Sequence, residues 1–130
     1  MKGVGVPRAS KQTASQVKDM GVLESRSEEL GGYIVEFTTF RADADATPFF
    51  RGLPDDRCQS PHWGYVLQGE LTLRFADGEE TYRAGDAYYS PPGHVPSVAA
   101  GTEIVEFSPT AEYRRTLEVL AKNFAALQGG

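Results

Sequence analysis

The chain has 130 residues, 40% hydrophobic and 24% charged, which suits one globular domain with a sizeable core and excludes a disordered or collagen-like chain. Its 13 Lys and Arg against 18 Asp and Glu give a net charge of −5, so no nucleic-acid partner is expected, since phosphate binding needs a concentrated basic surface. Apolar runs are too short for a membrane span, and a single cysteine, Cys58, closes no internal disulfide. A reducing, cytoplasmic setting is the expectation.

In chain order, residues 1–32 read as an N-terminal arm. Within it Val17 and Met20 share a helical face and Gly21 supplies a stop, predicting a short helix from Ser10 to Met20. Gly31-Gly32 opens a strand from Tyr33 to Phe40, dense in β-branched and aromatic residues. Arg41 to Arg57 carries Pro48, Pro54 and several aspartates, and a connection of that length usually has a function. Next come a strand from Trp63 to Leu67 and, after Gln68-Gly69, a half-buried strand in which Leu71, Leu73 and Phe75 alternate with Thr72 and Arg74. Asp77-Gly78 is the expected centre of a hairpin turn, followed by strands at Thr81–Arg83 and Ala87–Ser90. Pro91-Pro92-Gly93-His94 suits a type II turn with Pro92 and Gly93 as its central residues.

After a strand from Glu103 to Phe107, Ser108 and Pro109 read as the N-cap and first residue of a helix. Its apolar stripe, Tyr113, Leu117, Leu120, Phe124 and Leu127, is expected on the outside of the fold or against a partner chain. Short strands at regular spacing predict an all-β sandwich or barrel. Trp63, Tyr65 and Leu67 alternate opposite to His62, Gly64 and Val66, so the outer face of that strand is apolar and needs cover. The arm, the C-terminal helix or a second subunit of a homodimer are the candidates.

The run Cys58-x3-His62-Trp63-Gly64-Tyr65-Val66-Leu67-Gln68-Gly69, followed by Gly85-Asp86-x4-Pro91-Pro92-Gly93, resembles the two signature motifs of the cupin superfamily. The resemblance spans residues 33–108. It implies an all-β double-stranded β-helix, a jelly-roll barrel, between the arm at 1–32 and a C-terminal helix and tail at 109–130. Metal-binding cupins resemble one another in a His-x-His, a following Glu and a later His. Here those four positions fall on Asp56, Cys58, His62 and Pro96, so the usual set is lost, yet carboxylate, thiolate and imidazole are all competent ligands. Even spacing places Asp56, Cys58 and His62 on one face of an extended backbone. His94 sits just after the turn glycine, two residues before the family's ligand position, and is expected to line the rim of the mouth; a local backbone shift would bring it inward as a further ligand.

For Cys58 the structural alternative is a small buried hydrophobe, and for His62 a hydrogen-bonded histidine lining the pocket. Asp56 stands in a charge cluster with the bland reading of solvated surface. Tyr82, Tyr88 and Tyr89 are more commonly packing residues; Tyr89 and His94 are the candidate ligand contacts. Two functional readings follow. In the first, a divalent ion (zinc, iron, manganese or nickel) held by Cys58, His62 and Asp56 or His94 supports proton transfer on a small oxygenated substrate, as in an isomerase or cyclase, with His62 as the catalytic residue. The second is a metal-free cupin that binds or senses a small molecule without transforming it.

Overall fold

Ten strands and one α-helix make up most of the computed structural model, which describes residues 7–129. In chain order they are β1 (Gln16–Asp19), β2 (Leu23–Leu30), β3 (Tyr33–Phe40), β4 (Ala44–Asp45), β5 (His62–Gln68), β6 (Glu70–Phe75), β7 (Gly78–Arg83), β8 (Ala87–Ser90), β9 (Val95–Val98), β10 (Glu103–Pro109) and α1 (Thr110–Gly129). Two 3-10 turns, Thr47–Phe49 and Pro54–Asp56, lie between β4 and β5. The strands form a six-stranded sheet ordered β1-β2-β3-β10-β5-β8 and a four-stranded sheet ordered β4-β9-β6-β7. All the pairings are antiparallel.

Alternation along the strands sends one set of side chains inward, as a sheet with one buried face requires. Val66, Leu71, Leu73, Tyr88, Val98 and Ile104 form the main core between the sheets. A second cluster, Phe50, Leu53, Cys58 and Val95, lies under Val119 and Leu120 of α1. Gly64 makes the first packing possible: a Cβ there would stand 2.4 Å from Cζ of Tyr88. Only a glycine lets that ring enter the barrel.

Three local expectations are corrected. Ser10 to Met20 is not helical; after a turn in which Ala14 donates to the Ser10 carbonyl, β1 pairs Val17 with Arg26 and Lys18 with Ser25. Two apolar residues give a helix too small a face to bury, and Val17 stays 53% exposed even as a strand residue. The β6–β7 turn falls on Ala76-Asp77, because Phe75 pairs with Gly78; Asp77 is not among the residues with positive φ, so the I′ geometry of an Asp-Gly turn does not form. Pro109 ends β10 opposite Tyr33 instead of starting the helix, a strand-end position that tolerates its missing N–H.

The apolar stripe of α1 packs on the barrel from outside, with Leu120 and its neighbour Val119 over the Phe50, Leu53, Cys58 and Val95 cluster. It crosses the end of the barrel, where Phe124 stacks on Phe49 with ring centroids 6.3 Å apart. Asn123 Nδ2 donates to the carbonyls of Phe49 (2.7 Å) and Arg51 (2.8 Å), tying the helix to the loop before β5. Leu127, at the end of the stripe, remains exposed. Among the described residues no helix is long and apolar enough to cross a membrane.

Candidate metal centre

Three segments converge beneath α1. Cys58 and His94 face each other in an isolated antiparallel bridge, with Cys58 N donating to His94 O (2.9 Å) and Gly93 N to Cys58 O (2.7 Å). Opposed residues of such a bridge project to the same side. Gly93 at φ +97° makes the expected turn, and the turn directs His94 into the barrel instead of along its rim. His62 opens β5 opposite Ser90 of β8 and shares its inward face with Gly64 and Val66.

One ligand atom from each of Cys58, His62 and His94 lies within 4.8 Å of the others. All three residues are buried, at 1%, 5% and 2% exposure. His62 Nε2 stands 3.5 Å from Cys58 Sγ, and the two imidazole centroids are 4.9 Å apart. His94 Nδ1 lies 2.8 Å from both the Pro91 carbonyl and Ser90 Oγ. A carbonyl only accepts, so Nδ1 carries the proton and Nε2 keeps its lone pair. His62 Nδ1 is engaged by Ser108 Oγ at 2.7 Å. Orientation of an imidazole through its second nitrogen is what a metal-ligating histidine needs.

Burial governs the protonation states. Desolvation holds His62 down at about 4, opposed only by the charge of Glu36. Desolvation, with His62 adding to it, likewise holds His94 at about 4. Both rings are therefore neutral near pH 7. Burial pushes the Cys58 thiol up to about 11, against the pull of hydrogen bonds from Thr116 and the Ser60 backbone. The donor types suit a tetrahedral ion, for which bond lengths of about 2.3 Å to sulfur and about 2.0 Å to nitrogen imply ligand separations of roughly 3.3–3.5 Å; the three ligand atoms here lie within 4.8 Å of one another, so binding would draw them closer together. The Cys58–His62 pair already has that separation, and such an ion would displace the thiol proton.

Acidic and phenolic groups surround this cluster. Glu36 of β3 and Glu106 of β10 are direct cross-strand partners. Glu106 Oε2 accepts from Tyr88 (2.5 Å), and its Oε1 lies 3.9 Å from His62 Nδ1. Burial raises the Glu106 carboxyl above its ordinary range, although the Tyr88 hydrogen bond opposes the shift. Glu36 accepts from Ser25 and, at its other oxygen, from Tyr113 of α1. The Tyr113 ring stands edge-on to His62 at 5.2 Å, and Thr116 Oγ1 lies 3.6 Å from Cys58 Sγ, so α1 roofs the centre. On the other side Phe75, 6.2 Å from His94 between ring centroids, also lines an open depression of about 730 Å³ beside Arg57, Pro92 and Gly93.

Of the candidates from sequence, Cys58, His62 and His94 are brought together, whereas Asp56 and Tyr89 are not. Asp55 and Asp56 adopt φ +56° in a 3-10 turn, which breaks the extended parity counted from His62. Asp56 is exposed and its carboxylate accepts from Gly52 N at 3.0 Å. Tyr89 faces outward, 49% exposed, with its ring 5.1 Å from that of Trp63; Tyr88 is the inward tyrosine of β8. Sequence reasoning missed Glu36 and Glu106. Their signal was present as a charged residue at the inward parity of each strand, Glu36 between Ile34 and Thr38 and Glu106 between Ile104 and Ser108.

The two antiparallel sheets closed over this centre define a cupin fold. Comparison with solved structures gives a TM-score of 0.59 to a protein of unknown function from Rhizobium leguminosarum, at 15% identity over 80% of this chain and 96% of that one. An RmlC-like cupin from Shewanella frigidimarina matches at 0.54 and 17% identity, covering 78% and 88% of the two chains. A sugar phosphate isomerase of the cupin superfamily from Silicibacter pomeroyi matches at 0.52 and 18%, covering 69% and 60%. No family model and no curated protein matches the sequence.

Proposed function

We propose that this chain is a metal-dependent enzyme that moves a proton within a small oxygenated substrate, in an isomerase- or cyclase-type reaction. The convergence of Cys58, His62 and His94, with Nδ1 of each ring already engaged, carries this reading. Of zinc, iron, manganese and nickel, one thiolate with two imidazoles suits zinc best. An ion held there would polarise a substrate oxygen as a Lewis acid.

Glu106 is the proton carrier in this reading. Its carboxyl is shifted by burial towards neutrality, where a group both takes and returns protons efficiently. Tyr88 fixes Oε2, leaving Oε1 on the side of His62. His62, the catalytic candidate of the sequence, acts here as a ligand, because Ser108 occupies its second nitrogen. Glu36, held by Ser25 and Tyr113, keeps a second carboxyl beside the reacting centre. A substrate enters only when covering side chains, Tyr113 foremost, move aside, which favours small molecules. A free Cys58 suits a reducing compartment such as the cytoplasm.

Zinc-loaded protein should exchange the proton next to the carbonyl of small hydroxy-aldehydes or hydroxy-ketones with deuterium from solvent, followed by proton NMR. Glu106→Gln should slow the exchange at least about 100-fold with zinc content unchanged. Exchange insensitive to that substitution, or no exchange on any such compound, overturns the proposal. One observation favours the metal-free alternative: the Cys58 thiol is protonated and already contacts His62 and Thr116 within the chain. Protein that binds such a compound without metal and without exchange would support that alternative.

A further inference from the structure

Phe75 and Gly93 line the open depression of about 730 Å³ on the side of the centre away from α1. Two of its lining residues, Arg57 and Gly93, are the chain neighbours of the ligands Cys58 and His94. Among the described residues, Arg57 is the one half-buried Lys or Arg that holds no carboxylate. Lys11 pairs with Glu103 at 2.6 Å, Arg26 with Glu24 at 2.8 Å and Arg74 with Asp45 at 3.0 Å. Arg57 Nη1 instead reaches the carbonyls of Arg74 and Gly93 at 3.5 Å each, longer than a full-strength hydrogen bond. A guanidinium partly withdrawn from water without an anion carries a cost that a bound anion offsets. Around it Asp55, Asp56 and Asp77 stand exposed, and ionised carboxylates only accept hydrogen bonds, so hydroxyl groups suit them. Phe75 and Pro92 add an apolar surface, and the volume is that of a small-molecule site.

We propose that this depression binds a small hydroxy acid, with its carboxylate on the Arg57 guanidinium and its hydroxyls on the aspartates. A planar guanidinium holds a carboxylate through two parallel hydrogen bonds. Phosphate suits the site less well, because three neighbouring carboxylates repel its second negative charge. A neutral polyol leaves Arg57 without its anion. Phe75 stands between the bound acid and the ligands, its ring centroid 6.2 Å from that of His94, so the acid is held at the edge of the metal centre. Phe75 is thus one of the covering side chains that move aside. That the acid is the substrate rests on the reaction proposed above; that the depression binds it does not.

Isothermal titration calorimetry of the full chain, metal-free and zinc-loaded, with glycerate, glycerol and glycerol phosphate tests the site. Glycerate should bind more tightly than either of the others. Arg57→Gln, folded by circular dichroism, should weaken it about tenfold, the contribution of one charge-assisted hydrogen bond. Arg115→Gln, exposed on α1, should not. In the native chain glycerate should move the amide NMR signals of Arg57, Ala76, Asp77 and Gly93, and leave unmoved those of Asp43 and Ser97, which line a separate depression. Glycerate bound no better than glycerol, equal affinity in the Arg57→Gln chain, or signals moving only elsewhere overturns the proposal. Tighter binding of glycerol phosphate overturns the choice of carboxylate. Turnover is read apart from binding: in zinc-loaded protein, Arg57→Gln should lower about tenfold the kcat/KM for solvent exchange into hydroxypyruvate relative to hydroxyacetone. An unchanged ratio, with glycerate binding lost, overturns the acid's role as substrate. No exchange on either compound, with glycerate still held through Arg57, overturns the reaction and leaves the site standing.

Discussion

Gly64→Ala should destabilise the protein, although alanine suits a strand better than glycine by about 0.5–1 kcal/mol. The added Cβ would lie 2.4 Å from Cζ and 2.5 Å from the hydroxyl oxygen of Tyr88. The ring has no easy retreat, since Tyr82 stacks on it at 4.8 Å and its hydroxyl is bound to Glu106. Overpacking costs about 1–3 kcal/mol, and a shifted ring also loses a charge-assisted hydrogen bond of about 1.5–3 kcal/mol. Set against the gain in propensity, the net loss should be about 2–4 kcal/mol. At roughly 4 °C per kcal/mol this lowers the Tm by about 10 °C. Urea and thermal denaturation followed by circular dichroism measure it, with Tyr88→Phe isolating the hydrogen bond. In combination with Tyr88→Leu, whose shorter side chain does not reach Gly64, the loss from Gly64→Ala should be markedly less than additive. A Gly64→Ala variant as stable as the native chain, or more stable, refutes the argument that this glycine makes room for Tyr88.

In metal-free protein, stability should fall as pH drops from about 6.5 to about 4. His62 and His94 titrate at 6.5 unfolded and about 4 folded, so the unfolded chain binds the extra protons in that window. Each imidazole contributes about 3 kcal/mol or less. A double His62→Gln, His94→Gln variant should show a flatter urea-midpoint profile, and an unchanged slope would contradict the assignment. Asn123→Ala, which unties α1 from Phe49 and Arg51, should cost about 1–2 kcal/mol. It should also speed modification of Cys58 by a thiol reagent, which in the native chain should be slow because the thiol is 1% exposed and protonated. Immediate modification of native protein would show that α1 does not roof the centre.

The barrel was legible in the sequence because its turns carry local chemistry. Gly85-Asp86 and Pro91-Pro92-Gly93 punctuate short strands, and the alternation in Leu71–Phe75 marks a sheet with one buried face. His62 and Cys58 were reached by their spacing back from Gly69, whereas the facing of His94 stayed open, with the rim of the mouth as its expected place, because it depends on how the turn at Gly93 aims the chain. Asp56 failed because parity assumes an unbroken extended backbone, and residues 54–56 form a turn with left-handed aspartates. Tyr89 was chosen over Tyr88 although parity from Ser90 puts Tyr88 inward. The pairing of Glu36 with Glu106 depends on a β3–β10 register between residues 70 positions apart, which no local pattern encodes. The seat of α1 was illegible for a like reason: its stripe declares a buried face but not the surface that buries it.

The central claim is that Cys58, His62 and His94 hold one metal ion. Plasma mass spectrometry of tag-free native protein, beside a Cys58→Ala, His62→Ala double variant, tests it most directly. The native protein should hold close to one zinc per chain and a folded double variant none. Native protein that stays metal-free after reconstitution with zinc, iron, manganese and nickel, or a double variant that keeps its metal, contradicts it.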